Sequence, residues 1–208
     1  MSGDATAKTE VILGGATGWG KSVILQVSVM YTLYFLTCFS PPQHLWRNLN
    51  RYTTLLIPLQ SIQERVTNRV LYNPIREMFT NMRYTRKYVK WDKWKDRVLV
   101  LEGGIELMPA LASIQTILGS ATVAAGLDEV NFMDVVQKSK QVAGGRGEGG
   151  HYDQAEELYT TLTGRRISRF ITQGPNPGGV WLSSSAHYED DFLARRIKEH
   201  ELHRNDHV

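Results

Sequence analysis

Residues 14–22 read GGATGWGKS, preceded by VIL (11–13) and followed by VILQVSVMYTLYFLTCF (23–39). Two readings compete: a phosphate-binding loop between a strand and a helix, or a glycine-rich lead into a membrane span. Gly15, Gly20, Lys21 and Ser22 match the G-x-x-x-x-G-K-[ST] pattern in type and spacing. Glycines let backbone N–H groups turn inward around phosphate oxygens, and lysine neutralises the β/γ region. The Ser22 hydroxyl is placed to ligate Mg²⁺. A helix starting at Lys21 would point its positive end at the anion. Glu10–Leu13 is short and β-prone, so the strand–loop–helix context is met. Trp19 is bulky for the place before Gly20.

The membrane reading uses Val23–Phe39, 17 residues without a charge. That is at the short limit for a span, and Gln26, Ser28, Thr32 and Thr37 interrupt it. A span should stay helical throughout. A nucleotide domain is expected to break near Tyr31–Leu33 and resume as a strand over 33–39, stopped by Ser40-Pro41-Pro42. The pattern match favours the phosphate loop.

The chain has 208 residues, 42% hydrophobic and 22% charged, with a net charge of +3 and a pI near 9.0. That fits a folded domain with an RNA or acidic-lipid partner. One cysteine, Cys38, rules out an internal disulfide and suits a reducing compartment; its apolar neighbours predict burial. MSGDATAKTE (1–10) has neither signal-peptide nor Arg-rich presequence character.

The expected fold class is α/β: a partial P-loop NTPase-like parallel sheet with a helix-rich remainder. The alternative is mainly α with one transmembrane helix. The expected organisation is a flexible 1–9, a nucleotide-binding domain over 10–143, a Gly-rich linker GGRGEGG (144–150) and an extension over 151–208 with a charged tail. Helices are predicted over 62–71, from an Asn73 N-cap with Pro74 in the first turn to about Trp94, over 105–125, 128–140 and 153–162. Leu107–Leu127 reads as a buried helix. RVLVLEGG (97–104) suits a strand or a helix start, QGPNPGG (173–179) a loop, and 188–203 a charged helix or disorder. Three or four strands are visible, against about five in a complete doubly wound sheet.

A P-loop enzyme also needs an apolar strand ending in Asp for Mg²⁺, and a group that positions water. The nearest run is VLVLE, ending at Glu102, and no water-positioning residue stands out. Nucleotide binding, with at most slow GTPase or ATPase turnover and no assigned catalytic residue, is the expectation.

GGATGWGKSVILQVSVMY followed by LYFLTCFSPPQHLW resembles the death-associated protein 3 family, GTP-binding proteins of the mitochondrial small ribosomal subunit. The resemblance covers roughly residues 10–50, with a vaguer echo in YNPIREMFTNMR (72–83). It implies a structural protein holding GTP or ATP (or the diphosphate) with Mg²⁺ and contacting rRNA and ribosomal proteins. The implied contacts are Gly15, Gly18, Gly20, Lys21 and Ser22, and the implied location is the mitochondrial matrix.

RYTRKYVKWDKWKDR (83–97) interleaves cations with aromatics. Arg83, Arg86, Lys87, Lys90, Trp91, Lys93 and Trp94 are RNA-contact candidates, since cations hold phosphates and flat rings stack on bases. Tyr84, Tyr88 and Trp91 fall on one helical face, so a core face with a solvated cationic side is the competing reading, and a headgroup-level belt is a third. TGRRISR (163–169) reads equally as a basic patch or a solvated surface. The six histidines lack metal spacing, SSS (183–185) lacks a G-x-S-x-G context, and Asp190 and Asp191 have no evident partner.

Two function classes result, while a third, an active P-loop kinase or ATPase, lacks visible Mg²⁺ and base residues. One is a nucleotide-binding structural protein of the mitochondrial small ribosomal subunit. The other is a single-span accessory subunit of a mitochondrial inner-membrane respiratory or ATP synthase complex, with membrane-complex subunits and lipid as partners.

Overall fold

A computed structural model describes residues 10–46, 49–109, 120–133, 135–137, 151–170 and 178–205. The predictions for 1–9, 144–150 and most of the 173–179 loop lie outside the described residues.

The chain begins with β1 (Glu10–Gly14) and α1 (Lys21–Thr37), then β2 (Leu55–Gln60). A helical stretch follows: α2 (Glu64–Val66), a π-helical turn (Thr67–Tyr72), α3 (Asn73–Asn81) and α4 (Arg83–Tyr88). Next come β3 (Leu99–Leu101), β4 (Ile105–Pro109), β5 (Ala121–Thr122), β6 (Ala125–Asp128), β7 (Val135–Gln137) and β8 (His151–Asp153). The chain continues through α5 (Gln154–Phe170), β9 (Val180–Ser184) and α6 (Phe192–Asn205). The main sheet has the order β1-β9-β6-β2-β4-β3, with β5 also beside β2. All its pairings are parallel except β3 with β4; β7 and β8 form a separate antiparallel ribbon. Among the described residues seven strands join the main sheet, more than the three or four expected.

β2, LLIPLQ, is buried along its whole length, as a central parallel strand must be. β5 and β6 are one strand interrupted opposite Ile57 and Pro58, where Pro58 has no N–H for the ladder. β9 sends Trp181 into one apolar cluster with α1 and α3, and Val180 and Leu182 into another with α5 and α6. Alternating side chains thus place helices on both faces of the sheet.

The run after the glycine loop does not break. α1 stays helical to Thr37, so the expected strand over 33–39 is absent. Leu25, Val29, Leu33 and Leu36 are all fully buried, at helical spacing against β6 and β9. That stripe continues through the β-prone LYFLTCF and overrides its local preference. Continuous helicity does not make it a span. One face lies on the sheet, and among the described residues no helix is long and apolar enough to cross a membrane. The alternative fold, mainly α with one transmembrane helix, is corrected on that ground. Cys38 is exposed rather than buried, because the chain leaves the sheet after Leu36.

Asn73 is not an N-cap but continues a helical path, at φ −61° and ψ −45°. Pro74 cannot donate to the carbonyl four residues back. That carbonyl, Val70 O, instead accepts from Gln26 Nε2 of α1 at 2.7 Å. The helix predicted to Trp94 breaks at Met82, where ψ is 141°. The 105–125 helix is replaced by β4, β5 and the start of β6, with 110–119 outside the described residues; the described part of 128–140 holds a short 3₁₀ turn (Val130–Phe132) and β7, with 134 and 138–140 outside the described residues. Short buried apolar runs carry no periodicity that separates helix from strand. The predicted break between 10–143 and 151–208 is not followed by the sheet, since β9 lies between β1 and β6.

Candidate nucleotide site

β1 delivers the chain to Gly14 at its C-terminal end. The following loop needs backbone that L side chains rarely adopt: Gly18 has φ +89° and Gly20 φ +76°. Gly20 then leads directly into α1, its carbonyl accepting from Ile24 N at 3.0 Å. Lys21 is buried at 8% exposure. Its Nζ donates to Gly15 O (2.9 Å), Ala16 O (2.8 Å) and Ser185 Oγ (3.2 Å). The ammonium therefore lies inside the turn of the loop. Ser22, next along α1, donates from Oγ to Asp128 Oδ2 at 3.0 Å.

Asp128 is the last residue of β6 and is 2% exposed. Its other oxygen accepts from Ser183 Oγ of β9. A carboxylate thus ends an apolar strand and faces the serine of the loop, the arrangement for which the sequence reading finds only VLVLE, ending at Glu102, as the nearest run. Glu102 follows β3 at the opposite edge of the sheet from β1, 3.8 Å from Lys90. The signal was present in the sequence: TVAAGLDE (122–129) is an apolar run ending in Asp-Glu. The helices predicted over 105–125 and 128–140 divide this run and hide it.

Glu129 turns the chain out of β6 with φ 53°, a left-handed conformation uncommon for a non-glycine residue and concentrated at functional sites. Ser184 Oγ lies 3.3 Å from its Oε2. Asn131 Nδ2 donates to Ser185 O (2.9 Å) and Asp191 Oδ2 (2.7 Å), and its Oδ1 accepts from Leu193 N (3.0 Å). Asp191 in turn accepts from Ala194 N at 2.9 Å, capping α6. The loops after β6 and β9 are therefore cross-linked beside the loop of Lys21. Ser183–Ser185 serve this network: Ser183 on Asp128, Ser184 beside Glu129, Ser185 on Lys21.

All the loop residues named from the sequence, Gly15, Gly18, Gly20, Lys21 and Ser22, lie together at the C-terminal ends of β1, β9 and β6, where open α/β sheets bind ligands. The architecture is similar to that of bacteriophage large terminases. The chain superposes on the HK97 large terminase at a TM-score of 0.58 with 16% identity, covering 99% of this chain and 35% of that one. It matches the large terminase of a thermophilic bacteriophage at 0.55 with 11% identity, covering 95% and 39%. Further crystals of that thermophilic protein hold ADP or ATP-γ-S, and the likeness to those is weaker, at TM-scores of 0.48 and 0.47. The chain spans under two fifths of the length of these terminases. No protein-family profile matches it, and no curated protein matches it. At these identities the likeness shows the fold: a P-loop-like α/β domain with a mostly parallel sheet.

The RNA-contact candidates lie elsewhere. Arg83, Arg86 and Lys87 are exposed on α4, and Lys90, Lys93 and Trp94 are exposed beyond it. Trp91 is not on a helical face with Tyr84 and Tyr88. It is half-buried in an isolated bridge with Leu101, because α4 ends at Tyr88. In TGRRISR, Arg166 is buried rather than solvated. Its Nε donates to Val123 O (3.0 Å) and its Nη2 to Gly178 O (2.6 Å), and burial pulls its pKa down to about 10.

Proposed function

We propose that this chain binds a nucleoside triphosphate with Mg²⁺ and hydrolyses it. The observation that carries the proposal is the Ser22–Asp128 hydrogen bond, which joins the glycine loop to an acidic strand end. The donor set fits Mg²⁺: one hydroxyl and one carboxylate oxygen, both hard, beside a loop shaped for phosphates. Ser22 and Asp128 would hold the ion, which when bound would neutralise the charge of the phosphates. Backbone N–H groups of 15–20 and Lys21 Nζ bind the phosphates. Ser183 orients Asp128. Glu129, one residue beyond Asp128 at the same sheet end, takes the proton of the attacking water. Turnover beyond the binding expected from the sequence is proposed because Asp128 and Glu129 supply the two groups that the sequence reading does not locate.

The test offers ATP and GTP, with and without Mg²⁺, to the full chain, and reads thermal stabilisation and phosphate release. Mg²⁺-dependent stabilisation should be lost in Lys21→Ala. Glu129→Gln should keep binding and lose turnover by about 10²–10⁴-fold. Stabilisation by neither nucleotide would sink the proposal, as would full turnover in Glu129→Gln.

A ribosomal setting in the mitochondrial matrix, with rRNA and ribosomal proteins as partners, is the second reading. The residue 10–50 match and the exposed basic stretch at 83–97 support it. Co-sedimentation of the tagged chain with small ribosomal subunits is its test, and a chain that stays in the ribosome-free fraction would end it.

A further inference from the structure

We infer that residues 83–97, with the groove they form against α3, are a binding platform for single-stranded nucleic acid, separate from the nucleotide site. The segment holds seven cations against two acids, a net +5 in a chain whose whole charge is +3. The cations are exposed. Among the described residues only Lys90 of the seven has an acidic partner within ion-pair range, Glu102 at 3.8 Å, while Asp96 is taken by Arg76 at 3.0 Å. Trp91 is half-buried against the core, but two of the aromatics stand in solvent. Trp94 is 94% exposed and Tyr88 64%, and leaving such rings in water is unfavourable unless something covers them.

Between α3 and the segment runs an open groove of about 530 Å³, its walls including Asn73, Arg76, Glu77, Asn81, Trp91 and Lys93. Lys93 Nζ stands 5.9 Å from the centre of the Trp91 ring, and Lys87 Nζ 5.0 Å from that of Tyr88. Cations set beside flat rings suit a ligand with an anionic backbone and stacking bases. An acidic protein would match the charge and leave Trp94 unused. A duplex hides its base faces, which selects the single strand. Tyr84 anchors the platform: its hydroxyl donates to Thr37 O at 3.3 Å and its ring packs on Tyr34 at 4.9 Å. The platform therefore sits at the far end of α1 from Lys21, about 25 Å along a 17-residue helix.

The experiment measures fluorescence anisotropy of labelled oligothymidylate and oligouridylate, each about 20 nucleotides, with the full chain at several salt concentrations. Unlabelled duplex and polyglutamate serve as competitors. Binding should weaken with salt, with a log–log slope of about −0.7 per phosphate contacted. Trp94→Ala should weaken it about ten-fold. Lys87→Glu with Lys93→Glu should weaken it at least as much and flatten the slope by about one unit. All three side chains are exposed, so melting temperatures should be unchanged. Wild-type affinity in these variants would overturn the inference, as would polyglutamate or duplex displacing the probe as well as unlabelled single strand does. The nucleotide site plays no part in this readout, so either proposal can fail alone.

Discussion

Ser22 and Asp128 stand 106 residues apart in the chain and 3.0 Å apart in space, and a second polar cluster ties the ends together in the same way. Glu10 of β1 accepts from Tyr159 Oη of α5 at 2.7 Å and from Arg196 Nη2 of α6 at 2.9 Å, with His200 Nε2 at 3.1 Å. Burial pushes the Glu10 carboxyl upward, but the hydrogen bonds from Arg196, Tyr159 and His200 outweigh it and leave the pKa below its ordinary value. Burial, then the neighbouring Glu10 carboxylate, pushes the Tyr159 hydroxyl up to about 12. The two signs differ. Glu10 contributes stability above pH 4.5 that is lost as pH falls through its lowered pKa. Tyr159 contributes stability that is complete below pH 10 and lost as pH rises from 10 to about 12, because only the unfolded chain ionises there. We expect the stability difference between wild type and Tyr159→Phe to stay constant below pH 10 and to shrink between 10 and about 12. Urea midpoints of the two proteins across that range check it; a difference that does not move would show that Tyr159 is not held neutral.

Elements are placed by contacts that leave no room for a side chain. A Cβ on Gly178 would lie 2.6 Å from Val123 O and 2.7 Å from Ala124 Cβ. The same backbone is gripped by Arg166 of α5, which donates to Val123 O and Gly178 O. Gly178→Ala must push β9 away from the strand at 121–128 or break that grip. It should cost about 1–3 kcal/mol, read as a lower urea midpoint; an unchanged midpoint would mean the two segments approach less closely. At this scale the chain was partly legible. β1, α1's first turns and the charged tail helix had local signals: a short β-prone run, a Gly-Lys-Ser start, and a run of charges. β2, β5 and β6 had none that distinguished them from buried helix, since all are buried along their length and strands buried on both sides lose their alternation.

For the whole molecule the topology decides what can be removed. Among the described residues β1 pairs only with β9 in the sheet, so residues 10–143 leave the strand carrying the glycine loop without its neighbour. They also lack Ser183 and Ser185, which hold Asp128 and Lys21. A chain ending at 143 should show no cooperative melt, whereas the full chain should melt as one unit; a cooperative transition in the shorter chain would reinstate the division at 144–150.

The sequence by itself determined the glycine loop. Its turn is made by consecutive residues, and positive φ at Gly18 and Gly20, the lysine and the serine are all local requirements written in nine positions. It also determined that the basic aromatic stretch exists. Tertiary structure alone decided that α1 runs unbroken, because a stripe of leucines against β6 and β9 outweighs β preference at 33–37. It alone decided which acid faces Ser22, because a strand end reaches the loop only after parallel pairing sets the order β1-β9-β6, and it alone left Trp94 in solvent while half-burying Trp91. Such choices depend on which surfaces meet, and burial is a property of the folded chain that no short window of residues contains.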